Sequence, residues 1–348
     1  MSGAFTQAGN IGIIDKFERA NIALMHGADL VIEIPQIYVL SSANYFAYGA
    51  ITLLNSLKIV DNICFGSECN DIDIIKSIAN KTISYDDKIW EEIKNMRQKN
   101  ISFASIRQNY FKDILTDNEL NILKNSNDIL GIEYIKSLIR LNSCIKPFII
   151  KRNYHFTSST KIRQALKNND SIINLVPEDI YSIINDNYVL NDEIYKIIRY
   201  TILNSDKFLL SSIKGISEGI ENKLISEFKT SKTYDEFISN IKSKRYPMSK
   251  IKRILLNLIL NITKEDFDYS LKNNITYCHV LASNDVGKKL LSNISKASNI
   301  NIITSINDKK INNLSSDIKK YLEFDIKAEN IYSILSGKDI NKDYTNKL

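Results

Sequence analysis

MSGAFTQAGNIGIIDKFERANIALMHGADLVIEIP, residues 1–35, decides the fold. It reads as a polar loop, an amphipathic helix and a short buried strand that stops at Pro35. The helix is expected from about Ile13 to His26, since Ile13, Phe17, Ala20, Ala23 and Leu24 share one face and Gly27 gives a C-terminal stop. AspLeuValIleGluIlePro (29–35) is too short for a helix and is halted by proline. Loop, helix and strand in that order are the second half of a β-α-β unit. In nucleotide-binding α/β proteins, the opening strand and the loop after it usually hold the phosphates. The expectation is a nucleotide enzyme whose opening strand is not in the sequence as written.

The pattern continues outward from this stretch. A helix is expected from about Ser42 to Leu57, then a second buried strand at IleCysPheGly (63–66) that runs into Ser67 and Glu68. Asp71 to Lys81 reads as a helix with an acidic start, and two more helices near 84–97 and 103–115 read as an insertion. AsnSerAsnAspIleLeuGlyIleGluTyrIle (125–135) opens a helix with Asn127 or Asp128 as its cap. IleLysProPheIleIleLysArg (145–152) is a third strand, and ThrSerSerThrLysIleArgGlnAlaLeu (157–166) enters a helix through hydroxyls. Such alternation predicts a mostly parallel sheet with helices on both faces. From Pro177 to Asn273 helical periodicity dominates, and two strands, near 277–282 and 300–306, precede a last helix near 325–336. The expected division is an α/β domain at 1–170 and a mainly helical, basic domain at 171–348.

Composition narrows the class. Hydrophobic residues are 44% and charged residues 25% of 348, ordinary for a globular protein. The four cysteines (Cys64, Cys69, Cys144, Cys278) show no CxxC spacing and the three histidines (His26, His155, His279) are scattered, so no metal site is expected. Reduced thiols suit a cytoplasmic protein. No apolar stretch is long enough to span a membrane, so none is expected as a partner. Residues 1–100 carry 9 basic and 12 acidic side chains, whereas residues 201–300 carry 16 and 10. A polyanionic partner would therefore meet the second half.

Three groups of residues could carry chemistry. Ser158, Ser159 and Thr160 stand at a helix N-terminus, where free N–H groups and the dipole favour anions, with Lys161 and Arg163 in reach. A plain hydroxyl cap with two surface cations accounts for the same residues. Arg152 and Gly66 end strands, where ligands of open α/β sheets bind, and Asn127 lies where a loop enters a helix. A surface arginine, a turn glycine and an N-cap are the alternatives. Lys242, Lys244, Arg245, Lys250, Lys252 and Arg253 lie within twelve residues without an intervening acid, around Tyr246. They read as an RNA-binding patch, or as the solvated face of a helix whose Ile251, Leu255 and Leu258 turn inward.

Taken in order, these segments resemble the tRNA(Met) cytidine acetate ligase family of the nucleotidyltransferase superfamily. The resemblance rests on MetSerGly-x-Phe-x-Gln-x-Gly (1–9), AspLys-x-x-ArgAla (15–20), Gly-x-AspLeuValIleGlu-x-Pro (27–35) and PheGlySerGlu (65–68). It continues through AsnAspIleLeuGlyIleGluTyr (127–134), SerSerThrLysIleArg (158–163), LysArgTyrProMetSerLysIleLysArgIleLeuLeu (244–256) and ValLeuAlaSerAsnAsp-x-Gly (280–287). The resemblance implies a Rossmann-like fold and three substrates: ATP, with magnesium as its candidate companion, acetate and elongator tRNA(Met). Acetate would be joined to AMP as acetyl-adenylate, then passed to the exocyclic amine of the wobble cytidine. It puts the ATP site on Gly66, Asn127, Arg152 and Asn153, and a second phosphate-binding signature on Ser158, Ser159, Thr160 and Arg163.

The sequence departs from the family pattern in three places. The family's opening strand carries His-x-Gly-His, which stabilises charge at the reacting phosphate; no His-x-Gly-His occurs here, so no residue is assigned a catalytic role. Ala8 follows Gln7 where the family usually has arginine, and Asp128 stands for an expected asparagine, adding negative charge near a phosphate site. One preorganised stabiliser of transition-state charge is worth about 3–4 kcal/mol, so little or no turnover is expected of the chain as written. A small-metabolite adenylyltransferase and a non-catalytic, truncated tRNA-binding relic are the rival readings.

Overall fold

A computed structural model of the chain describes residues 1–86, 110–152, 157–307 and 311–346. Asp15 ends the polar loop and starts the helix Lys16–Met25 by accepting the Glu18 N–H at 2.8 Å, as a short acidic cap does. Gly27, at φ 98°, turns the chain in a left-handed conformation that suits glycine, and β1 follows at Leu30–Glu33. Beyond Pro35 come a single turn, Gln36–Val39, and the helix Ala43–Ser56. β2 (Asn62–Ser67) leads into the helix Ile72–Thr82, capped by the Asp71 side chain. The helix Ser126–Arg140 then leads to β3 (Lys146–Lys151) and the helix Ser159–Lys167. The helices expected near 84–97 and 103–115 fall largely outside the described residues.

β2 and β3 are parallel, with Gly66 opposite Ile150 and Ser67 opposite Lys151. Their strands are half-buried rather than wholly buried. Ile63 and Ser67 point inward, while Cys64, Phe148 and Ile150 are exposed. Phe65 packs so closely on the 126–140 helix that a Cβ on Gly131 would lie 2.5 Å from its ring. That helix begins earlier than expected, with Asn125 as its cap, so Asn127 and Asp128 lie in its first turn.

β1 does not join this pair. It runs antiparallel to β4 (Cys278–Ser283), which runs parallel to β5 (Ile302–Ile303). The α/β class holds, but the described strands form two sheets, of order β1-β4-β5 and β2-β3. Between β3 and β4 the chain is helical, with Tyr195–Leu203, Lys207–Ser212, Ile220–Thr230, Tyr234–Ile241 and Met248–Leu260 among its helices. In the last of these, Ile251, Ile254, Leu255 and Leu258 are buried on one face, each contributing about 1.5–3 kcal/mol. The helix Ser316–Leu335 follows β5, and one turn, Lys342–Thr345, ends the described chain. One core joins Phe5, Ile11 and Tyr38 to residues of the helical region, such as Phe237, Leu255 and Tyr321. The segments 1–170 and 171–348 thus share a sheet and a core. No helix among the described residues is long and apolar enough to cross a membrane.

Candidate active site and RNA-facing surface

The carboxyl ends of β2 and β3 gather the first group of expected site residues. Glu68, just past β2, accepts from Asn127 Nδ2 at 3.0 Å, Arg152 Nη1 at 3.0 Å and the Asp128 N–H at 3.2 Å. Gly66 lies further back, and a Cβ added there would meet nothing within 4 Å. Asn127 and Arg152 therefore meet on Glu68, with Gly66 two residues before it in β2; open α/β sheets bind ligands at such strand ends. Asn153 lies outside the described residues. Asp128 corrects the sequence reading. It is fully buried and accepts from Ser67 Oγ (2.6 Å), the Glu68 N–H (2.9 Å), the Cys69 N–H (3.2 Å) and Asn125 Nδ2 (2.9 Å). Its carboxylate braces the loop after β2.

The hydroxyl group is set as expected at the start of the 159–167 helix. Ser158 caps it, accepting the Lys161 N–H at 3.3 Å, and Ser159 and Thr160 are exposed in its first turn. Arg163 turns elsewhere, donating from Nη2 to the Ile11 carbonyl at 2.6 Å. Burial, with Arg19 adding repulsion, lowers its guanidinium to about 10.

Ile11 belongs to a loop, residues 6–11, that is fastened on every side. Its N–H donates to Asn191 Oδ1 at 2.9 Å, and Asn191 Nδ2 donates to Asn10 Oδ1 at 2.9 Å. Lys252 Nζ also reaches Asn10 Oδ1 at 3.0 Å, and Arg253 Nη1 donates to the Gln7 carbonyl at 3.0 Å. Gly9 has φ 77° and lies against this helix: a Cβ there would sit 2.5 Å from Lys252 Cβ. On the other side Arg19 donates to the Ser2 carbonyl at 3.0 Å and the Gly3 carbonyl at 2.5 Å.

The six cations of the expected RNA patch thus divide. Lys242 and Lys244 are exposed. Arg245 pairs with Glu218 at 2.5 Å, and the Lys250 ammonium lies 4.0 Å from the Tyr246 ring centroid. Lys252 and Arg253 hold the 6–11 loop, and burial lowers both, Arg253 to about 10. The signal that could have revealed this is the loop itself: its turn leaves carbonyls that need donors.

A buried charge cluster went unread in the sequence. Lys16 Nζ lies 3.0 Å from Glu33 Oε2 and 2.6 Å from Asp343 Oδ1, and His279 Nδ1 lies 2.8 Å from the same Glu33 oxygen. Burial alone would raise the Glu33 carboxyl; Lys16 and His279 overcome it and hold it at about 2. Nearby Glu329 is pushed by burial up to about 8, against the pull of Lys16. Glu33, His279 and Asp325 could offer ligand atoms to a metal ion. The Lys16 ammonium already supplies positive charge at Glu33 Oε2. The cluster joins the first helix, β1, β4 and the C-terminal helices, so it holds the fold together around the loop.

Known proteins resemble this chain along nearly its whole length. The HIGH Nucleotidyl Transferase family matches residues 1–347. The tRNA(Met) cytidine acetate ligase of Clostridium perfringens is 37% identical over 367 residues, covering 99% of this chain and 89% of that protein. That of Clostridium botulinum strain Kyoto is 39% identical over 371 residues, covering 99% and 88%. The crystal structure of Thermotoga maritima TmcAL bound with alpha-thio ATP superposes with a TM-score of 0.89 at 29% identity, covering 97% of this chain and 86% of that one. The apo form of the same protein gives a TM-score of 0.88 at 28% identity. This chain belongs to the tRNA(Met) cytidine acetate ligase family of HIGH nucleotidyl transferases.

Proposed function

We propose that this protein is an ATP-dependent acetate ligase that acetylates the wobble cytidine of elongator tRNA(Met). The observation that carries it is the near-complete match to ligases of that name, with Asn127 and Arg152 meeting on Glu68 at the strand ends. An acetate oxygen attacks the α-phosphorus of ATP and pyrophosphate leaves. The cytidine amine then attacks the acyl carbon, AMP leaves, and the amine gives up a proton. Acetate by itself is a poor acyl donor, and adenylation supplies the leaving group.

In this reading the open backbone at Gly66 admits the nucleotide, and Asn127 and Arg152 bind it. Asn153 completes that group. The exposed N-terminus at Ser158, Ser159 and Thr160 receives phosphate oxygens. Arg163 serves through the 6–11 loop it holds. Magnesium would arrive with the triphosphate: Glu68, the carboxylate at the strand ends, already accepts from Asn127, Arg152 and the Asp128 N–H. Lys242 and Lys244 contact tRNA phosphates, while Arg245, Lys250, Lys252 and Arg253 shape the surface beside them. Residues 1–170 supply the nucleotide site and residues 171–348 the RNA surface, and a cytoplasmic location follows from a tRNA substrate.

The test is incubation of the protein with ATP, acetate and elongator tRNA(Met), scoring N4-acetylcytidine and AMP. Acetylcytidine that needs all three substrates supports the ligase. Binding of ATP and tRNA without product supports the non-catalytic reading, and transfer of AMP to a small phosphorylated metabolite supports the other rival.

A further inference from the structure

Four cations of the 242–253 segment are engaged within the protein, so its open surface carries less charge than its sequence implies. A second surface of the same helical region has the opposite character. The helix Tyr195–Leu203 buries Tyr195, Ile198 and Ile202 and packs on the Met248–Leu260 helix. Its outer face, at i, i+3, i+4 and i+7, carries Lys196, Arg199, Tyr200 and Leu203. Lys207 and Phe208 follow at the start of the next helix. Tyr200 is 69% exposed, Leu203 70% and Phe208 85%.

Large apolar side chains left this open at the end of one helix and the start of the next make a candidate interaction surface. The chemistry between them indicates the partner. Lys196 and Lys207 are exposed and form no ion pair among the described residues, the Arg199 guanidinium lies 5.9 Å from the Tyr195 ring centroid, and the neighbouring Asp206 caps the Leu209 N–H at 2.7 Å. Exposed cations interleaved with exposed aromatic rings suit a strand with phosphates outside and unpaired bases to stack. An apolar protein partner would leave the three cations without counter-charge.

We propose that Tyr200 and Phe208 form a stacking platform for unpaired bases of the bound tRNA, with Lys196, Arg199 and Lys207 along its backbone. This extends the ligase reading and rests on it. The test is equilibrium binding of fluorescent elongator tRNA(Met) to the full chain across a salt series. The variants are Tyr200→Ala, Phe208→Ala and Lys196→Gln/Arg199→Gln/Lys207→Gln, with circular dichroism and ATP binding as fold controls.

Each aromatic variant should weaken tRNA binding by about 5- to 150-fold with ATP binding unchanged. The triple variant should flatten the log Kd against log salt slope by about 2. Wild-type binding that survives the aromatic substitutions unchanged overturns the platform alone. A wild type that binds no tRNA overturns the platform and the ligase reading together. A concentration-dependent dimer that Phe208→Ser dissociates, with tRNA affinity intact, assigns the face to self-association and also overturns the platform.

Discussion

Replacing Lys16 with methionine should expose what the buried cluster does for this fold. The substitution keeps the aliphatic stem and removes the ammonium that lies 3.0 Å from Glu33 and 2.6 Å from Asp343. Both carboxylates are fully buried, so no water replaces it. Holding Glu33 at about 2 instead of 4.5 corresponds to about 3 kcal/mol at 1.36 kcal/mol per pH unit. Breaking a buried pair costs about 3–5 kcal/mol, in agreement. Urea unfolding at pH 7 should therefore show Lys16→Met less stable by about 3–5 kcal/mol. The pH profile carries the diagnostic sign. In the wild type the depressed carboxyl gives stability that is present above 4.5 and lost as pH falls toward 2. In Lys16→Met the same buried carboxyl, without its ammonium, takes up a proton on folding, so stability rises as pH falls from 7 to 5. The gap between the two proteins should narrow over that interval, and Lys16→Met/Glu33→Gln should recover part of the loss at pH 7. Parallel profiles from pH 7 to 5, or no recovery in the double variant, would refute this reasoning.

Glu329, raised to about 8, destabilises the fold progressively as pH climbs from 4.5 to 8; Glu329→Gln should gain about 4 kcal/mol at pH 8 relative to the wild type and little near pH 4.5, read by urea unfolding. Gly66→Ala has open space for its Cβ, so the melting temperature should hold while ATP affinity, measured calorimetrically, falls about tenfold. Arg253→Met leaves the Gln7 carbonyl without its donor and should cost about 1.5–3 kcal/mol, seen as faster amide exchange in residues 6–11. The same variant should leave the salt slope of tRNA binding unchanged, whereas a direct phosphate contact would lower it by about 0.9.

Much of this architecture was legible in the sequence. The helices near 16–25, 43–56 and 72–82 and strands β1, β2 and β3 follow from periodicity, from Asp71 at a helix start and from Pro35 as a stop, though the first helix starts at Lys16 instead of Ile13 because Asp15 caps it. Those signals are local, and local signals survive folding. The pairing of β1 with β4 was not legible, because the partners lie far apart in sequence and each reads only as a short apolar run. The engagement of Lys252 and Arg253 with the 6–11 loop was hidden for the same reason: a run of cations looks identical whether it faces water or a carbonyl. Asp128 shows the converse, a charge that looked out of place and is fixed by four donors. The approach of Asn127 and Arg152 to one another could be anticipated, since one lies at a helix start and the other at a strand end.

The ligase reading stands or falls on one product analysis: N4-acetylcytidine and AMP counted together after incubating the protein with ATP, acetate and elongator tRNA(Met). The account predicts one AMP for each acetyl group, and no product when ATP, acetate or that tRNA is left out. AMP transferred to a small phosphorylated acceptor without tRNA, or tRNA bound with ATP and never acetylated, would contradict it.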